Sequence, residues 1–284
     1  MYDLLIHGGT VVDGTGAPGT RADVAVTDGR ISAIGDLTES DGSLPEAAEV
    51  HNATGRIVCP GFVDPHTHYD AQLFWDPYAT PSSQHGITSM VMGNCGFTIA
   101  PIGDQSDADY LAAMLVKVEG MSPAALAEGL DWNWRTFGEF LDRFEGNLGV
   151  NVAGMVGHSA IRRTVMKDDA TSREATPAEI DAMKALLADS LAAGGLGFST
   201  SRSFTHSDGD GLPVPSRTAA ADEVEALCAV VADHPGTTLE WVADGCMNGF
   251  REDEVDLMTR MSLAARRPVN WNVLTIDAAR PDDY

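Results

Sequence analysis

Lysine is scarce in this sequence, and positive charge as a whole is far outnumbered. Lys and Arg together number 18 against 42 Asp and Glu, which gives a formal net charge of −24 at pH 7. Nucleic acids and anionic membranes are polyanions that bind proteins through clustered Lys and Arg. The composition therefore argues against both as partners, and the acidic surface mainly favours solubility.

Long apolar segments are missing as well. No uncharged apolar run approaches the roughly 20 residues that a helix needs to cross a bilayer. The first residues have neither the basic region nor the apolar stretch of a signal peptide. Hydrophobic residues make up 44% and charged residues 21%, as in ordinary globular proteins. We therefore expect a cytoplasmic protein.

Cysteine is present only in isolated positions. The four cysteines, Cys59, Cys95, Cys228 and Cys246, form no CxxC pair. Metal sites of the zinc-finger kind need such pairs, and disulfides are rare in the cytosol. We therefore expect neither a structural zinc finger nor a disulfide framework.

The first 58 residues predict short β-strands joined by tight turns. Val-rich alternating segments are separated by Asp13-Gly14 and Asp28-Gly29, and Asp-Gly is typical of hairpin turns because glycine accepts positive φ. Residues 36–54 are acidic and predict a loop. We interpret residues 1–58 as a small β domain, one part of a composite β-sandwich.

From residue 59 onward the pattern predicts strands that alternate with helices. The alternation is typical of an α/β fold with a parallel sheet and right-handed crossovers. In the clearest helix signal, Thr176 precedes Pro177 and Glu179, as in a capping box. The predicted strands are 58–64, 89–93, 150–156, 196–200, 238–242 and 269–274, and the predicted helices are 108–118, 137–144, 177–193, 221–233 and 252–266.

The predicted units are too few for a closed barrel. A (β/α)₈ TIM-type barrel needs eight strand–helix units, and about six fit before Tyr284. We interpret residues 59–284 as an incomplete barrel. The chain is then a fragment, or one that needs a further C-terminal polypeptide; assembly into a homo-oligomer stays open.

His66-Thr67-His68 is the strongest chemical signal. Alternate residues of a strand point the same way, so the two imidazoles project together at the catalytic end of the first barrel strand. Neutral imidazole is a common zinc ligand. Asp64 or Asp70 could hold a ring nitrogen in place.

The motifs around this pair resemble a known family. Residues 58–68, with Gly86-Ile87-Thr88 and Gly93-Asn94-Cys95-Gly96, resemble the D-aminoacylase branch of the amidohydrolase superfamily, over residues 1–202. Members of that branch are N-acyl-D-amino-acid deacylases and relatives, and they are generally much longer. The resemblance implies a TIM-type barrel with one or two zinc ions.

The resemblance also implies that Cys95 is a metal ligand. It would take the place that a modified lysine has in hydantoinase-like relatives. No lysine lies on any predicted strand, so a lysine-bridged centre has no obvious source here. The alternative is an inert buried cysteine.

Two further motifs match the family at strand ends. His158, followed by Arg162, occupies a position from which it could act as a catalytic acid–base group, contact substrate or orient a ligand; a structural role is the alternative. The resemblance implies that Ser199, Ser201 and Arg202 line the substrate pocket, where Arg202 could bind a carboxylate.

The sequence also departs from the family. D-aminoacylases supply two more histidine ligands, where this chain has Thr218 and the strand 238–242. His206 and Glu240 are the candidate replacements as metal ligands. The family's aspartate base lies on a late strand, beyond residue 284.

The favoured function is hydrolysis of a linear amide C–N bond, with an N-acyl-D-amino acid or related amide as substrate and zinc-activated water as nucleophile. We expect the 284-residue chain alone to be inactive or very weak. The alternatives are a cyclic amidase or deaminase of the same superfamily and a non-catalytic binding or scaffold protein.

Overall fold

The computed structural model describes residues 1–272 and Ala278. The chain divides into two compact units, Met1–Phe62 and Val63–Tyr284. The predicted boundary after residue 58 lies four residues before this division.

The first unit is a mixed five-stranded sheet. Its order is β3-β2-β1-β4, with β5 also pairing with β1. β2 is antiparallel to β1 and β3, whereas β4 and β5 run parallel to β1. The strands are β1 (Tyr2–Val11), β2 (Thr20–Thr27), β3 (Arg30–Gly35), β4 (Ala47–Asn52) and β5 (Ile57–Val58).

The hairpin predicted at Asp28-Gly29 is confirmed. Both residues have positive φ, 52° and 69°, as a tight turn between β2 and β3 requires. The loop predicted over 36–54 is wrong at its end, because residues 47–52 form β4. That segment shows no strand alternation, and it becomes a strand by pairing with β1, which is remote in sequence.

The second unit contains a six-stranded sheet in the order β11-β10-β9-β8-β7-β6. The ladders from β7 to β11 are all parallel. The predicted α/β architecture, an incomplete TIM-type barrel, is confirmed. The strands are β6 (Phe62–Asp64), β7 (Ile87–Met92), β8 (Asn151–Gly157), β9 (Gly197–Ser201), β10 (Thr238–Val242) and β11 (Val269–Asn272).

The first predicted strand is divided in the structure, and the last extends beyond the described residues. Residues 58–64 do not form one strand: β5 ends at Val58 and β6 begins at Phe62, because Pro60 lacks an amide hydrogen and interrupts the ladder. The last strand was predicted to reach residue 274, and residues 273–274 lie outside the described part of the chain.

Helices follow the strands of the second unit. The capping box at Thr176 is confirmed, since its side chain accepts the amide hydrogen of Glu179. The helices are α1 (Gln105–Glu119), α2 (Pro123–Gly129), α3 (Phe137–Asp142), α4 (His158–Met166), α5 (Pro177–Ala192), α6 (Ala221–Val231), α7 (Gly245–Asn248) and α8 (Glu252–Ala265). α2, α4 and α7 were not predicted, and α4 starts directly where β8 ends.

An aromatic cluster anchors the second unit's apolar core. Phe74 lies 5.1 Å from Trp134 and 5.0 Å from Phe144, measured between ring centroids, and Phe140 lies 5.6 Å from Trp134. Such offset and edge contacts add about 1 kcal/mol each to the burial of the rings. Within the described part of the chain, no helix has both the length and the apolar character needed to cross a bilayer.

Candidate metal centre

The two histidines after β6 are held by the residue between them. The backbone amide of Thr67 donates to the carbonyl oxygen of Val91 on β7 at 2.9 Å, and its hydroxyl donates to the same oxygen at 2.8 Å. With Thr67 tied to β7, His66 and His68 flank it, and their rings meet edge to face with centroids 5.3 Å apart.

Cys95 lies in a tight turn that follows β7. Its φ is +59°, between Gly93 at +78° and Gly96 at +76°. A Cβ on Gly93 would lie 2.5 Å from the carbonyl oxygen of Met155. Both this lack of space and the positive φ require glycine at position 93. Positive φ at a cysteine costs roughly 1 kcal/mol or more, and the surrounding contacts must offset that cost.

Two buried side chains hold this turn. Glu240 on β10 accepts the backbone amide hydrogen of Cys95 at 2.8 Å. Ser199 on β9 accepts the amide hydrogen of Gly96 at 3.1 Å and donates its own hydrogen to the carbonyl of Gly93. Both side chains are almost fully buried, so the turn that presents Cys95 is fixed by the sheet.

His66, His68 and Cys95 converge on one point. The sulfur of Cys95 lies 3.2 Å from Nε2 of His66 and 3.7 Å from Nε2 of His68, and the three ligand atoms lie within 4.8 Å of one another. Around a tetrahedral zinc, nitrogen and sulfur ligands are about 3.4–3.6 Å apart. The three residues therefore fit a zinc ion.

The protonation states of these residues also suit a metal. Burial, with the neighbouring His66 and His206, lowers the pKa of His68 to about 3, and burial lowers the pKa of His66 too. Both rings are therefore neutral at pH 7, the form that binds metals. Burial raises the pKa of the Cys95 thiol, so a cation must displace its proton.

The three residues open into a cavity of about 420 Å³. His206, which lies in the loop after β9, lines the same cavity, as does Glu119 at the end of α1. Lys117 lines it as well. Lys117, Lys167 and Lys184 all lie outside the described strands.

Three carboxyl groups near the centre are buried or partly buried. Burial raises the pKa of Glu240 to about 8, of Asp70 to about 7 and of Glu119 to about 7. Such shifts arise when a carboxylate is desolvated without a sufficient cation nearby. A cation bound by His66, His68 and Cys95 would lower the pKa of these carboxyl groups.

Comparisons with known proteins identify the family of the chain. The model of the Amidohydrolase family matches residues 49–283. The chain belongs to the amidohydrolase family. It is 36% identical over 236 residues to D-aminoacylase of Alcaligenes xylosoxydans xylosoxydans, an alignment that covers 83% of this chain and 43% of that protein.

Two solved structures share the fold of this amidohydrolase. A structure of D-aminoacylase, described for its binuclear metal center, has a TM-score of 0.74 at 34% identity, covering 95% of this chain and 51% of that one. N-acyl-D-glutamate deacylase from Bordetella bronchiseptica, complexed with zinc and a phosphonate inhibitor that mimics the tetrahedral intermediate, has a TM-score of 0.71 at 30% identity, covering 94% and 50%. The chain thus spans about half the length of these relatives.

His158, predicted as a catalytic group, is enclosed in this amidohydrolase. Its Nδ1 pairs with the hydroxyl of Thr200 at 2.8 Å, and its Nε2 pairs with Glu223 at 2.8 Å. Arg162 donates to the same carboxylate. His158, Arg162 and Glu223 are fully buried, and His158 does not line the cavity of His66. The arrangement favours the structural alternative for His158.

The buried ring of His158 should make the fold sensitive to acid. Burial lowers its pKa, although Glu223 acts in the opposite direction. Below pH 6.5 the unfolded chain takes up a proton that the folded chain does not, so stability present above pH 6.5 is lost as the pH falls. One such histidine contributes at most about 1.4 kcal/mol per pH unit.

Urea unfolding of the metal-free chain at pH 7 and pH 5 measures this effect. We expect His158→Gln to flatten the pH dependence, and the exposed His85→Gln to leave it unchanged. Equal slopes in the wild type and His158→Gln would contradict the assignment.

The residues predicted to bind substrate lie elsewhere. Ser199 supports the Cys95 turn, and Ser201 pairs through its hydroxyl with Nδ1 of His206 at 2.7 Å. Arg202 donates to the carbonyl of Ala219 at 2.6 Å and lines a separate cavity of about 520 Å³ beside Trp241. None of the three lines the cavity of His66. Their role in substrate binding stays a prediction.

The two candidate replacement ligands differ in placement. His206 faces the cavity of His66, where burial lowers its pKa to about 4. The Glu240 carboxylate is already used: Oε2 accepts from Cys95 and Oε1 accepts from the amide of Asn272 at 2.8 Å. Glu240 thus orients Cys95, and direct ligation by either residue stays a prediction.

Asp64 and Asp70, which were expected to hold a histidine ring nitrogen, accept hydrogen bonds from backbone amides instead. Asp64 accepts the backbone amide hydrogen of His66 at 3.2 Å, and Asp70 accepts that of Gly93 at 3.0 Å. Both contacts hold backbone next to a ligand. Glu119 was not predicted to lie in this cavity, because nothing in the sequence relates the end of α1 to a histidine pair some fifty residues earlier.

Proposed function

We propose that this chain forms the first part of a zinc-dependent site that hydrolyses linear amides, with N-acyl-D-amino acids as substrates. The observation that carries the proposal is the convergence of His66, His68 and Cys95 at 3.2 and 3.7 Å in one cavity. The similarity to D-aminoacylase and to N-acyl-D-glutamate deacylase supports the choice of substrate class.

His66, His68 and Cys95 would hold the zinc ion. When bound, zinc supplies Lewis acidity that polarises an amide carbonyl and makes water a nucleophile near neutral pH. Glu240 keeps the backbone of Cys95 in its strained conformation. The Ser201–His206 pair places an imidazole in the cavity that is neutral at pH 7, because burial lowers its pKa to about 4, and that can accept a hydrogen bond from substrate or water.

The cavity size fits a small substrate. A volume of about 420 Å³ lies within the range of small-molecule sites. An N-acyl amino acid, or a related amide, is therefore the proposed partner. Cytoplasmic location and assembly with further polypeptide remain predictions.

Hydrolysis assays distinguish the proposal from its alternatives. The substrates are N-acyl-D-amino acids, N-acyl-L-amino acids and hydantoins, tested on the zinc-loaded 284-residue chain and, where its gene encodes more sequence, on the complete product. We expect the complete product to prefer the D-substrates by at least about tenfold, a difference of about 1.4 kcal/mol, and the 284-residue chain to be much slower.

Two other outcomes would overturn the proposal. Preference for hydantoins would assign a cyclic amidase of the same family. A zinc-loaded, folded product that turns over none of the three substrate classes would assign a binding or scaffold role.

A further inference from the structure

A second cavity lies on the other side of β10 from the metal centre. Glu240 and Val242 face the centre, since Glu240 accepts a hydrogen bond from Cys95 and Val242 lines its cavity. Trp241 lies between them in the strand and therefore points to the opposite face of the sheet. There it lines, with Arg202, a second cavity of about 520 Å³. The two cavities have no lining residue in common.

Two buried donor atoms of the second cavity have no partner. The indole Nε1 of Trp241 and the Nε of Arg202 are both buried, and both lack an acceptor among the described residues. The whole side chain of Trp241 is 0% exposed. A buried N–H group that has lost water without gaining an acceptor is unfavourable. Two such groups at one cavity indicate a ligand that carries an acceptor.

The start of α6 adds further donors to the same cavity. α6 begins at Ala221, and its N-cap residue, Ala220, has only a methyl group and cannot cap the helix. Both alanines line the second cavity. The first amide hydrogens of a helix have no acceptor within the helix, and the helix dipole favours a negative charge beside them. The acceptor indicated by the unpaired donors is therefore an anionic group.

Two arginines at the second cavity have no counter-charge. The side chains of Arg202 and Arg217 donate only to backbone carbonyl oxygens, and neither forms an ion pair with any described residue. Arg251 also lines the cavity, but it is already paired with Asp253 and Glu254. A guanidinium group stays charged at all ordinary pH values and binds carboxylates well. A carboxylate is therefore the anionic group that this lining favours.

Two carboxylates at the second cavity are without an ion pair as well. Asp244 uses Oδ1 to accept the backbone amide hydrogen of Phe204 at 2.6 Å, and Glu174 is exposed. Neither is paired with a cation in the part of the chain that the structure describes, although both line the cavity with Arg202 and Arg217. The cavity thus holds unpaired charges of both signs. A simple anion would satisfy the arginines and be repelled by Asp244, whereas a ligand with both charges satisfies both sets.

We propose that the second cavity binds a free α-amino acid. The carboxylate of the ligand would accept hydrogen bonds from Nε of Arg202, from the indole of Trp241 and from the start of α6. Its ammonium group would pair with Asp244. The volume of about 520 Å³ lies within the range of small-molecule sites. The inference goes beyond the proposed function, because it requires neither zinc nor amide hydrolysis at the metal centre.

Titration of the full chain with D-alanine and L-alanine tests the inference. Calorimetry measures the affinity, and nuclear magnetic resonance of the isotope-labelled chain locates the ligand. The indole N–H signal of Trp241, assigned by its loss in Trp241→Phe, should shift when at least one alanine enantiomer is added. Acetate has the carboxylate without the ammonium group, so we expect it to bind at least about tenfold more weakly, the effect of one lost hydrogen bond between charged groups.

Three substitutions separate the contributions of the lining groups. Arg202→Gln removes the guanidinium and should weaken alanine binding at least about tenfold. Trp241→Phe keeps an aromatic ring and removes the N–H group, so a loss of about threefold is expected. Asp244→Asn keeps the oxygen that accepts from Phe204 and removes the charge. In that variant alanine should lose its advantage over acetate.

The matched controls are Arg143→Gln and Trp75→Phe. Both side chains are exposed, 40% for Arg143 and 43% for Trp75, and neither lines the second cavity. Urea unfolding checks that each variant keeps its fold. If Arg202→Gln fails to fold, Trp241→Phe and Asp244→Asn decide the comparison.

Three results would overturn the inference. The first is an indole signal of Trp241 that does not move with either alanine enantiomer. The second is acetate binding as tight as alanine binding, which would indicate a site for simple anions. The third is alanine affinity in every folded cavity variant that equals the affinity of the two controls. Each result leaves the proposed function intact, because zinc uptake and hydrolysis are measured separately.

Discussion

Replacing Cys95 by serine should abolish stoichiometric zinc binding. Cys95 supplies the one thiolate among three convergent ligand atoms. Zinc sites with four protein ligands gain roughly 10–16 kcal/mol in total, so one ligand contributes a few kcal/mol, or about a hundredfold in affinity. Serine preserves the size of the side chain but is not ionised near pH 7. Metal analysis after dialysis, with chelator competition, measures the loss.

The matched control for this substitution is Cys59→Ser. Cys59 is an exposed thiol in the first unit, outside the cavity, so its replacement should leave both zinc content and affinity unchanged. Retention of one zinc per chain by Cys95→Ser, at wild-type affinity, would show that Cys95 is the inert buried cysteine of the alternative interpretation.

Replacing Glu223 by alanine should destabilise the second unit by about 3–5 kcal/mol. Glu223 is a fully buried carboxylate that accepts hydrogen bonds from His158 and Arg162. Burial by itself raises its pKa, but His158 and Arg162 outweigh that effect and lower it, so the group is ionised in the fold. Its loss leaves the buried guanidinium of Arg162 without its counter-charge, the most expensive way to break a buried ion pair.

The neighbouring Asp222 provides the control. Its side chain is 88% exposed and pairs with Arg260 at 2.6 Å, and exposed pairs contribute about 1 kcal/mol or less. Asp222→Ala should therefore shift the urea midpoint only slightly. A Glu223→Ala chain as stable as Asp222→Ala would indicate that the buried cluster does not hold α4, α6 and β9 together.

This cluster connects the fold to the metal centre. Thr200, which contacts His158, follows Ser199, whose hydroxyl holds the turn of Cys95. Loosening β9 should therefore relax the strained backbone at Cys95. We expect Glu223→Ala to weaken zinc binding as well, although the substituted side chain touches none of the ligands.

Much of this architecture follows from local sequence. The alternation of strand and helix patterns after residue 59 predicts a parallel α/β sheet, and the Asp28-Gly29 turn and the capping box at Thr176 are confirmed at the predicted residues. His66 and His68 could be paired without a structure, because alternate residues of an extended chain share a side. Cys95 was predicted as a metal ligand because its Gly-Asn-Cys-Gly segment resembles that of a known family.

Other features depend on contacts between distant residues, which local pattern does not encode. β4 forms because β1 lies beside it. The structural interpretation of His158 depends on Glu223, which lies 65 residues away and forms a hydrogen bond with one ring nitrogen in the buried interior. A histidine that follows a strand end looks the same in sequence whether its ring faces a cavity or the core.

The metal centre also combines features that follow from local sequence with features that follow from contacts between distant residues. The sequence alone determined the family motif, the histidine pair and the type of metal they suit, since those properties belong to neighbouring residues. Only the tertiary structure decided that Glu240 holds the backbone of Cys95, across 145 positions, and that Glu119 faces His68. The physical reason is that the charge and geometry of a buried site are set by whichever groups the packed elements bring together, whatever their separation along the chain.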